Sequence, residues 1–291
     1  MTGGTAQATL PTMLSFVKFQ HTLFALPFAF LGVFLAADGW PGWLTVALVL
    51  LAMVGARTSA MGLNRIIDRE IDRRNPRTAD RELPSGRLSL AGAWGVTLAG
   101  AAAFVLAGVN LNPLTTALLP VAMLFFVVYP YLKRFTWLCH VWLGITVGAA
   151  GAGGYIAVSG AFTLEAWLLW AAAAAWIAGF DVVYAMLDEA FDRQHGVHSI
   201  PADLGRNAAI AVTTGMYITA VASWVGLGVA AAPLGAAFLV AVLAVVAPLL
   251  AWQLRLLVRD GAGRALGAFN LNLWIGSLLL VASLLDIVWL R

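Results

Sequence analysis

Runs of about twenty apolar residues, almost free of charge, follow one another along the whole chain, and this pattern restricts the fold more than any other feature. Roughly 20 helical residues cross the ~30 Å hydrocarbon layer of a bilayer. Inside that layer a backbone must satisfy its own N–H and C=O groups, which leaves helices or closed barrels. Nine runs have helical length, at residues 15–37, 43–67, 90–109, 113–132, 138–158, 164–187, 207–230, 233–256 and 267–289. Turn signals at Asp38-Gly39, Asn110 to Pro113 and Ala232-Pro233 separate neighbours. Hydrophobic residues make up 62% and charged residues 11% of the chain, with a mean hydropathy of +0.89. A soluble domain is nearer half apolar and a quarter charged. The expected fold is therefore all-α: a single polytopic membrane domain over residues 1–291 with nine transmembrane helices.

The basic residues give an expected orientation. Arg73, Arg74, Arg77, Arg81 and Arg87 follow the second run, Lys133 and Arg134 the fourth, Arg193 and Arg206 the sixth, and Arg255, Arg259 and Arg264 the eighth. The alternate loops near Asp38, Asn110, Glu165 and Pro233 contain no Lys or Arg. The positive-inside rule then places the N-terminus and the loops 68–89 and 188–206 in the cytoplasm and the C-terminus outside, in the inner membrane. The pI near 9.4 reflects these loops and does not imply nucleic acid. Residues 1–13 lack the basic leader of a signal peptide and are expected to form a short flexible tail. Cys139, the single cysteine, excludes an internal disulfide and a multi-cysteine metal site, so metal chemistry here would use oxygen ligands.

Two acidic motifs stand at matching places. Asn64, Asp68 and Asp72 are spaced by four at the end of the second run, and Asp181, Tyr184, Asp188 and Asp192 stand at the end of the sixth. Asp68 to Asp188 and Asp72 to Asp192 are both 120 residues apart, and Lys133 to Arg255 is 122. Helices 1–4 and 5–8 thus read as parallel four-helix repeats about an axis along the membrane normal, with a ninth helix added and a central cavity between. Residues at i, i+4 and i+8 share a helix face. Clustered carboxylates repel unless a hard cation binds them, and magnesium favours such oxygens and completes its shell with waters or phosphates. The expected ligand is a magnesium-bound phosphate compound, with Arg77, Arg81 and Lys133 as cationic partners for the anion. The plain alternative is that the acids pair with neighbouring arginines, as Asp68 would with Arg65 or Arg69.

NRIIDREID with NPRTADRELPSG at residues 75–86, and DVVYAMLDEAFD with GVHSIPADLG at residues 196–205, resemble the two signature regions of the UbiA superfamily of intramembrane prenyltransferases. The resemblance spans almost the whole chain. It implies that Asn64, Asp68, Asp72, Asp188 and Asp192 hold Mg2+ on the diphosphate of a polyprenyl donor, and that Lys133 is a diphosphate-binding lysine. Asp80 stands where relatives commonly have Asn, and Glu82-Leu83 where Pro-Leu is frequent. The segments KFQHTLFALPFAF, NPRTADRELPSG and YAMLDEAFD look closest to the 4-hydroxybenzoate polyprenyltransferase branch and its relatives acting on hydroxynaphthoates for menaquinone.

Arg57 lies seven residues before Asn64, on the same face and two turns deeper. An intramembrane arginine is a functional candidate by default. It has the chemistry to clamp the carboxylate of a small aromatic acid, and the resemblance supports that role; the alternative is an ion pair with Asp181. Asp181 and Tyr184 share the face of Asp188 and are candidates to orient a phenol or accept its proton, with packing as the other reading of Tyr184. His21, His195, His198, Asn270 and Asn272 carry no firm assignment. A secondary transporter is the rival from another class, since parallel repeats and intramembrane charge would suit it too.

Overall fold

The structure is a computed structural model that describes residues 9–18, 22–260 and 265–290. His21, Arg264, Arg291 and most of the expected tail lie outside the described residues. Eight helices are long and apolar enough to cross a membrane: Trp43–Ile67, Leu90–Val109, Pro113–Leu132, Cys139–Ser159, Leu164–Ala185, Ile200–Ala230, Ala236–Arg259 and Phe269–Val288, with a shorter apolar helix at Ala25–Ala37. The chain is an integral membrane protein, and no strand occurs among the described residues.

In order, the helices are α1 (Leu10–Phe16), α2 (Thr22–Ala37), α3 (Trp43–Ile67), α4 (Arg69–Arg74), α5 (Leu90–Val109), α6 (Pro113–Leu132), α7 (Cys139–Ser159), α8 (Leu164–Ala185), α9 (Glu189–His195), α10 (Ile200–Ala230), α11 (Ala236–Val240), α12 (Ala247–Asp260), α13 (Ala265–Leu271) and α14 (Ile275–Val288). A π-helical turn at Ala241–Val246 joins α11 to α12, and a 3-10 turn at Asn272–Trp274 joins α13 to α14. Residues 10–13, expected in the tail, belong instead to α1, which Thr9 caps. Phe16 and Val17 are buried against Ile66, Leu88 and Ala93. The expected run 15–37 is thus broken, with Lys18 in a left-handed backbone conformation (φ 51°).

Capping residues mark the other ends. Asn112 and Thr115 form a reciprocal capping box at the start of α6, which satisfies two backbone donors that a helix start leaves over. Asn112 also donates to Ile156 O at 2.8 Å, tying this start to the end of α7. Asp286 on α14 accepts from the amides of Gly235, Ala237 and Phe238 at 2.8–3.0 Å and so caps α11.

Packing differs between the halves. Trp176, Trp224, Phe28 and Phe238 are fully buried in one aromatic core. Beside it Trp176, Tyr217, Gln253 and Asn272 share side-chain hydrogen bonds of 2.8–3.3 Å that link α8, α10 and α12 to the 3-10 turn. Between α2, α3, α6 and α7 lies instead an apolar cavity of about 240 Å³, lined by alanines and glycines together with larger apolar side chains such as Phe104, Phe125, Phe126 and Trp170. Helix α7 approaches α2 closely because Gly154 carries no side chain: a Cβ there would stand 2.0 Å from the Ala29 carbonyl oxygen.

That clash is with backbone, which cannot rotate away. Gly154→Val is expected to cost about 1–3 kcal/mol or more and to lower the thermal unfolding midpoint in detergent. Gly153→Ala, with nothing within 4 Å of its new Cβ, should leave the midpoint near wild type.

Candidate active site

Each acidic motif straddles a helix break rather than lining one continuous helix. Helix α3 ends at Ile67; Asp68 has φ −89° and ψ 2°, and α4 begins at Arg69. Helix α8 ends at Ala185; Asp188 has φ −106° and ψ 2°, and α9 begins at Glu189. In both copies the second aspartate's amide donates to the first one's carbonyl at 2.8 Å, Asp72 to Asp68 and Asp192 to Asp188. Acids fill the first turn and bases the last turn of α4 and α9, which complements their dipoles.

The break aims the carboxylates at cations from other segments. Asp68, 1% exposed, meets Lys133 Nζ through Oδ2 and Arg134 Nη1 through Oδ1 at 3.2 Å, and Arg134 also donates to Ile67 O at 2.9 Å. Its partners are therefore not Arg65 or Arg69. Asp72 accepts from Arg81 Nη1 at 2.8 and 2.9 Å. Asp188 takes a two-pronged contact from Arg77, with Nε at 2.7 Å, and a bond from Asn75 at 3.0 Å. Arg77 also donates to the Tyr184 hydroxyl at 2.8 Å and lies over its ring. Asp192 accepts from Ser199 Oγ at 2.9 Å. The two motifs meet here, because Asn75 and Arg77 follow the first and Asp188 belongs to the second.

Burial pushes the Asp188 carboxyl up, but Arg77 and Asn75 outweigh it and hold it below the ordinary carboxylate range. Asp192 is pushed up to about 6, first by burial and then by the charge of Asp188, against the pull of Ser199.

The loop bearing Arg77 and Arg81 is fastened from beneath. Glu82 is buried with Arg65, whose Nη1 donates to it at 3.0 Å, and it also accepts from Ser15 Oγ at the end of α1. Thr78 Oγ1 donates to Asp72 O at 3.0 Å. Across the mouth, His198 N donates to Lys133 O at 2.7 Å and the His198 ring bonds Asp203, while His195 stacks on Phe191. The two histidines therefore form no metal pair.

Deeper in the bundle, Arg57 lines the apolar cavity. Its Nε is shielded from solvent and has no hydrogen-bond partner among the described residues. The alternative pair with Asp181 is not formed: Asp181 Oδ2 accepts from His140 Nδ1 at 2.7 Å. Asn64 stands one turn before Asp68, half-buried.

As to a metal, the donors at the mouth are carboxylate oxygens, whose chemistry fits a hard divalent cation. Among the described residues no three acidic, histidine or cysteine side chains are gathered as a ready-made metal site. At the mouth Asp68 meets Lys133 and Arg134, Asp72 meets Arg81 and Asp188 meets Arg77, while Asp192 bonds the Ser199 hydroxyl, as buried carboxylates require compensating partners.

The model of the UbiA prenyltransferase family matches residues 25–278. The chain belongs to the UbiA prenyltransferase family. It is accordingly a prenyltransferase, and the transporter alternative falls away. The 4-hydroxybenzoate octaprenyltransferase of Burkholderia vietnamiensis is 35% identical over 203 residues, 67% of each chain. That of Alkalilimnicola ehrlichii is 33% identical over 263 residues, 88% of this chain and 86% of its own. A solved UbiA homologue from Aeropyrum pernix K1, in its apo form, superposes with a TM-score of 0.83 at 36% identity, covering 92% of this chain and 98% of that one. A UbiA homologue from Archaeoglobus fulgidus, solved with GPP and Mg2+, shares the fold at 19% identity with a TM-score of 0.69.

The sequence pointed to Arg77, Arg81, Lys133, Asp181 and Tyr184 but not to their neighbours Asn75, Arg134, His140 and Ser199. The Arg65–Glu82 pair gives a stability test. Glu82→Gln leaves the buried Arg65 charge without its counterion, a loss expected at roughly 3–5 kcal/mol. Burial raises Glu82, but Ser15 and Arg65 hold its carboxyl below the ordinary 4.5. The stabilisation is therefore complete above that value and is lost as the pH falls through the lower folded-state value. The gap in unfolding midpoint between wild type and Glu82→Gln should be full near neutral pH and close in acid.

Proposed function

We propose that this prenyltransferase moves a polyprenyl group from a polyprenyl diphosphate to an aromatic acid of the 4-hydroxybenzoate type, with Mg2+, in respiratory quinone biosynthesis. The observation that carries this reading is the pairing of two charge layers: acids and bases at one mouth, and deeper in an apolar cavity Arg57, whose buried Nε has no partner among the described residues. The named relatives from Burkholderia vietnamiensis and Alkalilimnicola ehrlichii support the acceptor class.

In this reading Asn64, Asp68, Asp72, Asp188 and Asp192 hold Mg2+, and Arg77, Arg81 and Lys133, released from their carboxylate partners, take the diphosphate oxygens. The bound metal supplies Lewis-acid stabilisation of charge on the leaving diphosphate. Arg77, Arg81 and Lys133 add preorganised cations where that charge develops. Arg57 clamps the acceptor's carboxylate with a planar fork that matches it and turns the ring toward the mouth. Asp181 and Tyr184, the latter held by Arg77 at the mouth, are the groups to orient the phenol or take up the ring proton. The alanine- and glycine-lined wall excludes water from the allylic cation and leaves room for an isoprenoid tail beside the bilayer. The nine-helix count, the parallel four-helix repeats and the cytoplasmic placement of the mouth, with the C-terminus outside, belong to the same proposal. The repeat is supported by the matched breaks at Asp68 and Asp188, and the placement by the basic residues around the mouth.

The deciding experiment offers purified protein 4-hydroxybenzoate and hydroxynaphthoates with a mixture of prenyl diphosphates and reads products by mass spectrometry. Prenylated 4-hydroxybenzoate is expected; product only from a hydroxynaphthoate would move the assignment to menaquinone synthesis. Asp68→Ala and Asp188→Ala should each cut turnover by about 100-fold or more, the scale of losing a preorganised charge contact, and near-normal rates in both would remove the metal assignment. Arg57→Ala should raise the acceptor KM by about 10- to 100-fold, in line with loss of a charged hydrogen bond, and an unchanged acceptor KM would refute the clamp.

A further inference from the structure

His140 is a histidine inside a membrane helix whose side chain bonds Asp181. The Nδ1···Oδ2 distance is 2.7 Å, and the two side chains are 6% and 22% exposed. His140 Nε2 is buried with no partner among the described residues. On Asp181 only Oδ2 is engaged, so Oδ1 is left without a protein partner among the described residues. A carboxylate is acceptor-only when ionised, so Nδ1 carries the hydrogen of this bond. The imidazole thus fixes one oxygen of the carboxylate and leaves the other unengaged among the described residues.

The surroundings give that free oxygen a purpose. Asp181 stands one turn before Tyr184 on α8, whose hydroxyl is held by Arg77 at the mouth. Asp181 therefore lies one helical turn from a residue of the acidic mouth.

We propose that His140 is a positioning residue that orients Asp181 so that Oδ1 takes the proton displaced from the acceptor ring. This rests on the aromatic-acid reading above. The C–O bond of the allylic diphosphate breaks, and both electrons leave with the diphosphate. A ring carbon of the acceptor gives an electron pair to the allylic carbon, forming the new C–C bond. The proton on that ring carbon passes to Asp181 Oδ1, and its bonding pair returns to the ring. Asp181 then releases the proton to water as product departs. A base held by a third group in this way loses efficiency when the orienting bond is removed, even though the base itself remains.

The test uses the full-length protein in detergent and an acceptor deuterated on the ring, 3,5-dideuterio-4-hydroxybenzoate or the matching hydroxynaphthoate, whichever the wild type prenylates. His140→Leu removes the donor at similar bulk, whereas His140→Asn keeps an amide donor close to the Nδ1 position. Loss of kcat by about 10- to 100-fold is expected in His140→Leu, less than the roughly 100- to 10,000-fold contribution of a general base because Asp181 itself remains. The KM values for both substrates should stay unchanged. A primary isotope effect absent from the wild type should appear, and His140→Asn should recover most of the rate and suppress the effect. Should His140→Leu fail to fold, His140→Gln, whose amide reaches the Nε2 position instead, takes its place with the same expectation. Wild-type rates in the donor-less variant, a slowed rate without any isotope effect, or an Asn variant as impaired as the Leu variant would each overturn the inference. Wild-type protein that prenylates no aromatic acid would overturn the functional reading itself, an outcome separate from these.

Discussion

A carboxylate withdrawn from water at the end of a membrane helix must meet a cation, and the buried Asp68 is where this demand is strongest. Desolvation of such a charge costs several kcal/mol unless a partner offsets it. Lys133 and Arg134 answer from the loop after α6, and Arg77 answers for Asp188 from the loop after α4. Each answer comes from a different helix pair. Charge compensation therefore draws the connections of the bundle over one mouth and determines which loops can touch.

Much of the architecture was legible because membrane crossing is a question of length. The runs at 43–67, 90–109 and 113–132 agree with α3, α5 and α6 to the residue. Departures occur where backbone torsions respond to tertiary contact. Gly205 (φ 81°, ψ 169°) kinks the start of α10, and the π turn at Ala241–Val246 interrupts a run that hydropathy reads as uniform. The breaks at Asp68 and Asp188 were hidden for a related reason: four-residue spacing fits a continuous helix as well as two helices joined at an aspartate.

The site was legible where the chain repeats itself and obscure where it does not. Asp68 and Asp188, with Asp72 and Asp192, announce themselves by recurring at a fixed interval, and the arginines by their density. Which base meets which acid is a matter of three-dimensional placement that spacing does not encode. His140 has no counterpart to draw attention to it. Its one signal was position: an ionisable side chain in a run otherwise able to cross the bilayer, which merits a functional question wherever it occurs. The halves also diverge in filling, since tryptophans occupy the core around α8 and α10 while small residues leave space between α3, α6 and α7. Similar helix order thus serves rigidity on one side and accommodation on the other.

The pairing of acids and bases at the mouth has a thermodynamic consequence. Asp68, Asp72 and Asp188 each face a base there, while Asp192 meets a hydroxyl. In the proposed reaction a metal diphosphate would exchange these partners: the carboxylates would hold the metal and the guanidinium groups would turn to phosphate, so that affinity would be a difference between two compensated states. Regaining its own salt bridges would then favour the protein's release of inorganic diphosphate.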